Sequence, residues 1–198
     1  VATRANLTGA SVTRAILRDE SVTAPDGGDL DLEITPGELS DHYDPRTRTL
    51  RLSQDIFYGN SIAALGIAAH EVGHAIQHAR LYAPMEIRNF VYPVSSIGSA
   101  LAFPLFIVGF LMASPVLLKA GIILFTMAVL FTVLTLPVEF DASRRAVRAL
   151  ANGGYMTEDE LAGARKVLNA AALTYVAATA VALLNLLRMV LLANMADE

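Results

Sequence analysis

The chain has 198 residues, of which 54% are hydrophobic and 17% charged, with no Cys, no Trp and a mean hydropathy of +0.48. A soluble domain usually carries about 25% charged residues, so the composition argues against a protein wetted over its whole surface and excludes disorder. A formal charge of −4 argues against a nucleic-acid partner, which needs a basic footprint. Without Cys, only His, Asp and Glu remain as metal ligands.

In chain order, Thr8 is placed to cap a helix running to about Asp19, with Ile16 and Leu17 on its inner face. Pro25 to Asp29 forms a loop, and Leu30 to Thr35 alternates apolar and polar residues as a strand does. Leu39–Tyr43 and Arg48–Ser53 predict two more strands around an Asp44-Pro45-Arg46-Thr47 turn, giving a small antiparallel sheet. Ser61 caps a strongly apolar helix that reaches about Arg80, ahead of Pro84. Then come 30 residues without a charge between Arg88 and Lys119, 19 between Lys119 and Glu139, and 21 between Lys166 and Arg188. A helix needs roughly 20 apolar residues to cross the hydrocarbon core. Three spans are therefore predicted, at about Val94–Ala113, Val116–Val138 and Val167–Arg188. Ser114-Pro115 forms the turn between the first two, and Pro104 is expected to kink the first. Ser143 to Leu150 extends the second helix to Gly153-Gly154, and Thr157 with Glu160 makes a capping box for the third.

The expected fold is a mainly α integral membrane protein with a small antiparallel sheet. Residues 1–90 form the soluble part, with the capped apolar helix at about 61–80. Residues 91–138 form a transmembrane hairpin, 139–166 a second extramembrane segment, and 167–198 the C-terminal span. Eight Arg precede residue 90, and Arg144, Arg145, Arg148, Arg165 and Lys166 lie between the second and third spans, whereas the hairpin turn carries only Lys119. Two crossings return the chain to its starting side, and the positive-inside rule makes that side cytoplasmic.

The chemistry is concentrated in His70-Glu71-Val72-Gly73-His74. Residues four apart stack on one helix face, so both imidazoles can reach one ion. Glu71 is turned by about 100° from His70 and stands beside that ion. This His-Glu-x-x-His spacing belongs to zinc hydrolases, in which the glutamate is general base. One catalytic Zn²⁺ is expected on this zincin-like helix, with His70 and His74 as ligands and Glu71 as catalytic residue. A catalytic zinc also needs a third protein ligand and an open position. The metzincin pattern would put a third His at position 80, which is Arg80. His78 shares the helical face, but one straight helix cannot readily wrap three ligands around one ion, so it reads as a surface residue. Glu139 is the better candidate, because it is the first acid after 19 uncharged residues. Asp141 competes, but residues two apart on a helix face nearly opposite ways. Ser143 stacks on Glu139 at i+4 and can hydrogen-bond a ligating His from behind.

The sequence resembles the YugP-like family of bacterial membrane zinc metallopeptidases. The stretches that carry the resemblance are Leu7-Thr8-Gly9-Ala10, Leu39 to Thr47, Ser61 to Gln77, Pro137-Val138-Glu139-Phe140 with Ala142 to Ala146, and Gly163 to Ala178. They are distributed along the chain from residue 7 to residue 178. A broader resemblance is to gluzincins, whose third ligand is a Glu on a second helix, which implies Glu139. Many gluzincins carry an acid four residues beyond that ligand, where this chain has Ser143. Family members usually begin with a further membrane helix, so the Val1 start implies truncation or processing. His42 and Tyr43 lie on the strand before the zinc helix. In zincins such an edge strand pairs with extended substrate, and His42 can serve an oxyanion or touch the resting metal. The plainer reading takes Asp41, His42 and Asp44 as turn formers around Pro45.

The expected activity is that of a membrane-embedded zinc endopeptidase in the bacterial cell membrane, with its site facing the cytoplasm. Its substrates would be membrane-associated proteins or peptides. A non-catalytic adaptor with a closed structural metal site, and a zinc hydrolase of a non-peptide amide or ester, are the competing readings. Arg144 and Arg145 keep open a pocket for anionic headgroups.

Overall fold

The computed structural model describes residues 1–196, which form two compact units. Val1–Tyr82 and Val138–Ala172 make the first, and Ala83–Pro137 with the chain from Leu173 onward make the second.

The first unit opens with α1 (Gly9–Asp19). The Thr8 hydroxyl accepts from Ser11 N–H, and Ser11 Oγ accepts from Thr8 N–H at 2.8 Å, which satisfies donors that a helix start leaves open. Its buried face, Val12, Ile16 and Leu17 among others, packs against α3 (Ile62–Ala79). Three strands follow α1, namely β1 (Asp31–Thr35), β2 (His42–Asp44) and β3 (Thr49–Ser53), in the spatial order β1-β3-β2.

The sheet differs from the sequence expectation in two ways. It is mixed rather than antiparallel, because β1 pairs parallel to β3 while β2 pairs antiparallel to it. The tight turn after Asp44 commits one edge of β3 to β2, which leaves the other edge for β1. That second pairing spans a long stretch of chain and has no local signal. In addition, β2 begins later than expected. Leu39 has φ 55° and is 91% exposed, in a turn where Ser40 Oγ donates to Gly37 O at 2.8 Å. Asp44 belongs to the strand and accepts from Arg46 N–H at 2.9 Å. Central strand β3 buries Leu50 and Leu52 completely, whereas edge strand β1 leaves Ile34 46% exposed. A short helix, α2 (Gln54–Tyr58), follows β3 directly and was not foreseen.

Ser61 caps α3 by accepting from Ala64 N–H at 3.1 Å. This helix is buried over most of its length. At Gly73 the helix packs tightly against α5 (Pro115–Asn152), since a Cβ there would sit 2.5 Å from Ala142 O. α5 ends at Gly153-Gly154, where Gly154 takes φ 66°. α6 (Glu158–Ala196) begins where the Glu160 carboxylate accepts from Thr157 N–H at 2.8 Å and Thr157 O–H at 2.9 Å.

The second unit contains α4 (Ala83–Leu111) and the apolar parts of α5 and α6. α4 starts before the predicted span and continues through Pro93 and Pro104. Ser114 N–H donates to Gly109 O at 2.8 Å to close the turn, and Pro115 opens α5, where its missing N–H costs nothing. Ala102, Phe106, Leu118, Phe125, Val129, Met189 and Ala193 form the internal cluster. Three helices are long and apolar enough to cross a membrane, and only 28%, 17% and 17% of their most apolar windows is buried. Helices of a water-soluble core hide such faces. The architecture is that of a mainly α protein with three candidate membrane-spanning helices.

Candidate metal centre

The site lies within the first unit and is built from α3 and the part of α5 that follows Pro137. His70 and His74 project one turn apart, with ring centroids 4.8 Å apart and planes at 83°. Glu139 Oε2 lies 3.2 Å from His70 Nε2 and 3.6 Å from His74 Nε2. All three donor atoms fall within 4.8 Å of one another. Bonds of about 2.0–2.1 Å in a tetrahedral site place neighbouring ligand atoms about 3.3 Å apart. The two histidine–glutamate separations bracket that value, so the residues present fit a zinc ion.

Orientation of the rings comes from their far nitrogens. His70 Nδ1 sits 3.1 Å from Ser143 Oγ, and His74 Nδ1 sits 3.0 Å from Gln77 Oε1. Gln77 is fully buried, and its amide NH₂ donates to Val138 O at 2.8 Å and to Asp141 Oδ2 at 3.0 Å. Both of those partners only accept, so the amide oxygen must be the atom that faces His74. An oxygen there requires His74 Nδ1 to carry a proton, so Nε2 is the nitrogen left to bind a metal. Asp141 is itself held by Arg145 Nε at 2.6 Å and Arg144 Nη2 at 3.5 Å, which keeps its carboxyl below the usual range despite partial burial. Burial alone would lower the His74 pKa, but the Glu139 and Glu71 carboxylates outweigh it and raise it. The pocket favours a cation.

Glu71 is only 8% exposed, and among the described residues none donates a hydrogen bond to its carboxylate. It lies close enough to His74 to raise that residue's pKa. Asp141, the sequence competitor of Glu139, faces Gln77 and the arginines instead. His78 is not a plain surface residue. It is half-buried, and its Nδ1 lies 2.9 Å from Tyr43 Oη. Burial pushes the Tyr43 hydroxyl up to about 12, so it is protonated at neutral pH. His42 is exposed, with Nδ1 2.7 Å from Ser40 O, and stands outside the cluster. Gln77 and Asp141 are the supporting residues that sequence reasoning missed. The available signal was a lone amide at i+3 from His74 on a helix whose other polar side chains are Glu71 and three histidines. Gln77→Ala should weaken zinc binding about 10- to 100-fold in a competition titration, with the helical circular dichroism unchanged.

A family model described as "Putative neutral zinc metallopeptidase" matches residues 1–194. "Putative membrane protease YugP" of Bacillus subtilis (strain 168) is 45% identical over 185 residues, covering 93% of this chain and 80% of that protein. No solved structure matches the chain. The chain belongs to this zinc metallopeptidase family.

Proposed function

We propose that the protein is a membrane-embedded zinc endopeptidase whose active site faces the cytoplasm of a bacterial cell. The observation that carries this reading is the convergence of His70, His74 and Glu139 within 4.8 Å, with the unpartnered carboxylate of Glu71 on the same helix. His70 Nε2, His74 Nε2 and Glu139 Oε2 would hold the ion. Zinc bound there would lower the pKa of water toward about 7 and polarise the scissile carbonyl. Glu71 takes the proton of the attacking water and passes it to the departing amine. Ser143 and Gln77 keep the two rings oriented throughout.

A closed structural site needs four protein donors. Among the described residues three converge, and the fourth candidates, His42 and His78, are engaged with Ser40 and Tyr43. That supports an open position for substrate over the adaptor reading. β2 forms one edge of the sheet and lies against α3, so an extended peptide can add to it as a further strand. The Arg-rich segments on either side of the hairpin support the cytoplasmic orientation.

The test is metal dependence. The purified protein should contain one zinc per chain and cleave an unfolded membrane-protein substrate. A chelator should abolish cleavage, and stoichiometric zinc should restore it. Cleavage that persists in fully demetallated protein would sink the proposal, and hydrolysis confined to non-peptide esters or amides would redirect it.

A further inference from the structure

A cavity of about 740 Å³ lies in the first unit, between the end of α5 and the start of α6. Arg144 and Arg148 from α5 and Arg165 from α6 line it, together with the apolar Phe140, Val147 and Leu168. No acid lines it. All three arginines are exposed, and Arg144 has one distant ion pair, to Asp141 Oδ1 at 3.5 Å. Arg148 and Arg165 have no ion pair among the described residues. The cavity therefore joins three guanidinium groups to an apolar wall. Guanidinium forks match phosphate oxygens, and an apolar wall matches the glycerol and first methylenes of a lipid.

Position along the helices favours a lipid over a peptide. Arg144 stands six residues, about 9 Å, beyond Val138, where the charge-free run of α5 ends. Arg165 stands two residues before Val167, where the next charge-free run begins. Headgroups occupy the layer just outside the roughly 30 Å hydrocarbon core. No residue of α3 or of the sheet lines the cavity, whereas a substrate subsite must be continuous with them. We propose that this cavity binds the phosphate headgroup of an anionic phospholipid through Arg144, Arg148 and Arg165. Ser143 lines the same cavity and contacts His70 Nδ1, so the bound lipid lies one hydroxyl away from the candidate metal centre.

The test needs no substrate and is independent of the hydrolytic reading. Detergent-purified full chain is titrated with phosphatidylglycerol and phosphatidylcholine, and the retained lipid is counted by native mass spectrometry. The native protein should prefer phosphatidylglycerol by at least about tenfold. The triple variant Arg144→Gln, Arg148→Gln, Arg165→Gln should bring the two lipids to within about twofold. A charge-matched control, Arg14→Gln, Arg18→Gln, Arg46→Gln, should keep the native preference. If the triple variant does not fold, the exposed single variants Arg148→Gln and Arg165→Gln each carry the same comparison. Equal retention by the native chain, or a preference that survives the triple change, overturns the proposal. Displacement by inorganic phosphate as effective as by a short-chain phosphatidylglycerol shows a free-anion site instead. Displacement by a glutamate-rich peptide that is itself cleaved shows a substrate subsite.

Discussion

Glu71→Gln should abolish peptide hydrolysis while zinc remains at one ion per chain. The amide keeps the shape of the carboxylate but cannot accept the proton of the attacking water. General-base catalysis contributes about 10²–10⁴ in rate, so kcat should fall at least about 1000-fold with KM little changed. Zinc should stay because Glu71 is not among the three donors that converge. The residue is nearly buried and makes no hydrogen bond among the described residues, so the near-isosteric amide breaks none and leaves the packing in place. The measurement is metal content by atomic spectroscopy beside a fluorogenic peptide assay on one preparation. Undiminished cleavage would refute the mechanism. Loss of zinc would instead make Glu71 a ligand and displace Glu139 from the reading.

The parts of this protein legible in its sequence are those fixed within a few residues. Thr8 and Ser61 announce their helices because a cap acts on the next turn. His70 and His74 announce a shared face because the helical period alone aligns them. The three long helices are visible because charge is absent for whole spans. Two adjustments lay beyond local reach. The parallel pairing of β1 with β3 joins strands separated by the whole of β2. The exposed turn at Leu39 takes a positive φ that a Leu does not advertise. The support behind the histidines was hidden for a related reason. Gln77 becomes informative only when α5 brings Val138 O and Asp141 to its amide, and that approach depends on the missing Cβ of Gly73.

Glu139→Ala should reduce zinc affinity by more than about 100-fold, the largest loss of any single change outside the two histidines. Removing a group that merely orients a ligand costs about 10- to 100-fold. Glu139 contributes an oxygen directly at 3.2 and 3.6 Å from the two imidazole nitrogens, so its removal must cost more. The neighbour two residues along supplies the internal comparison. Asp141 has an equal charge on the same helix, but it reaches His74 only through Gln77. Asp141→Ala should therefore behave like Gln77→Ala and fall within the 10- to 100-fold range. Zinc affinities from competition with a chromogenic chelator, measured on variants with matched circular dichroism, separate the two classes. Full occupancy in Glu139→Ala, or an Asp141→Ala loss that exceeds it, would overturn the proposed ligand set. Because Glu139 is 3% exposed, Glu139→Gln is the companion variant. It preserves packing and removes only the charge, so a loss of zinc shared by Ala and Gln cannot be ascribed to a cavity.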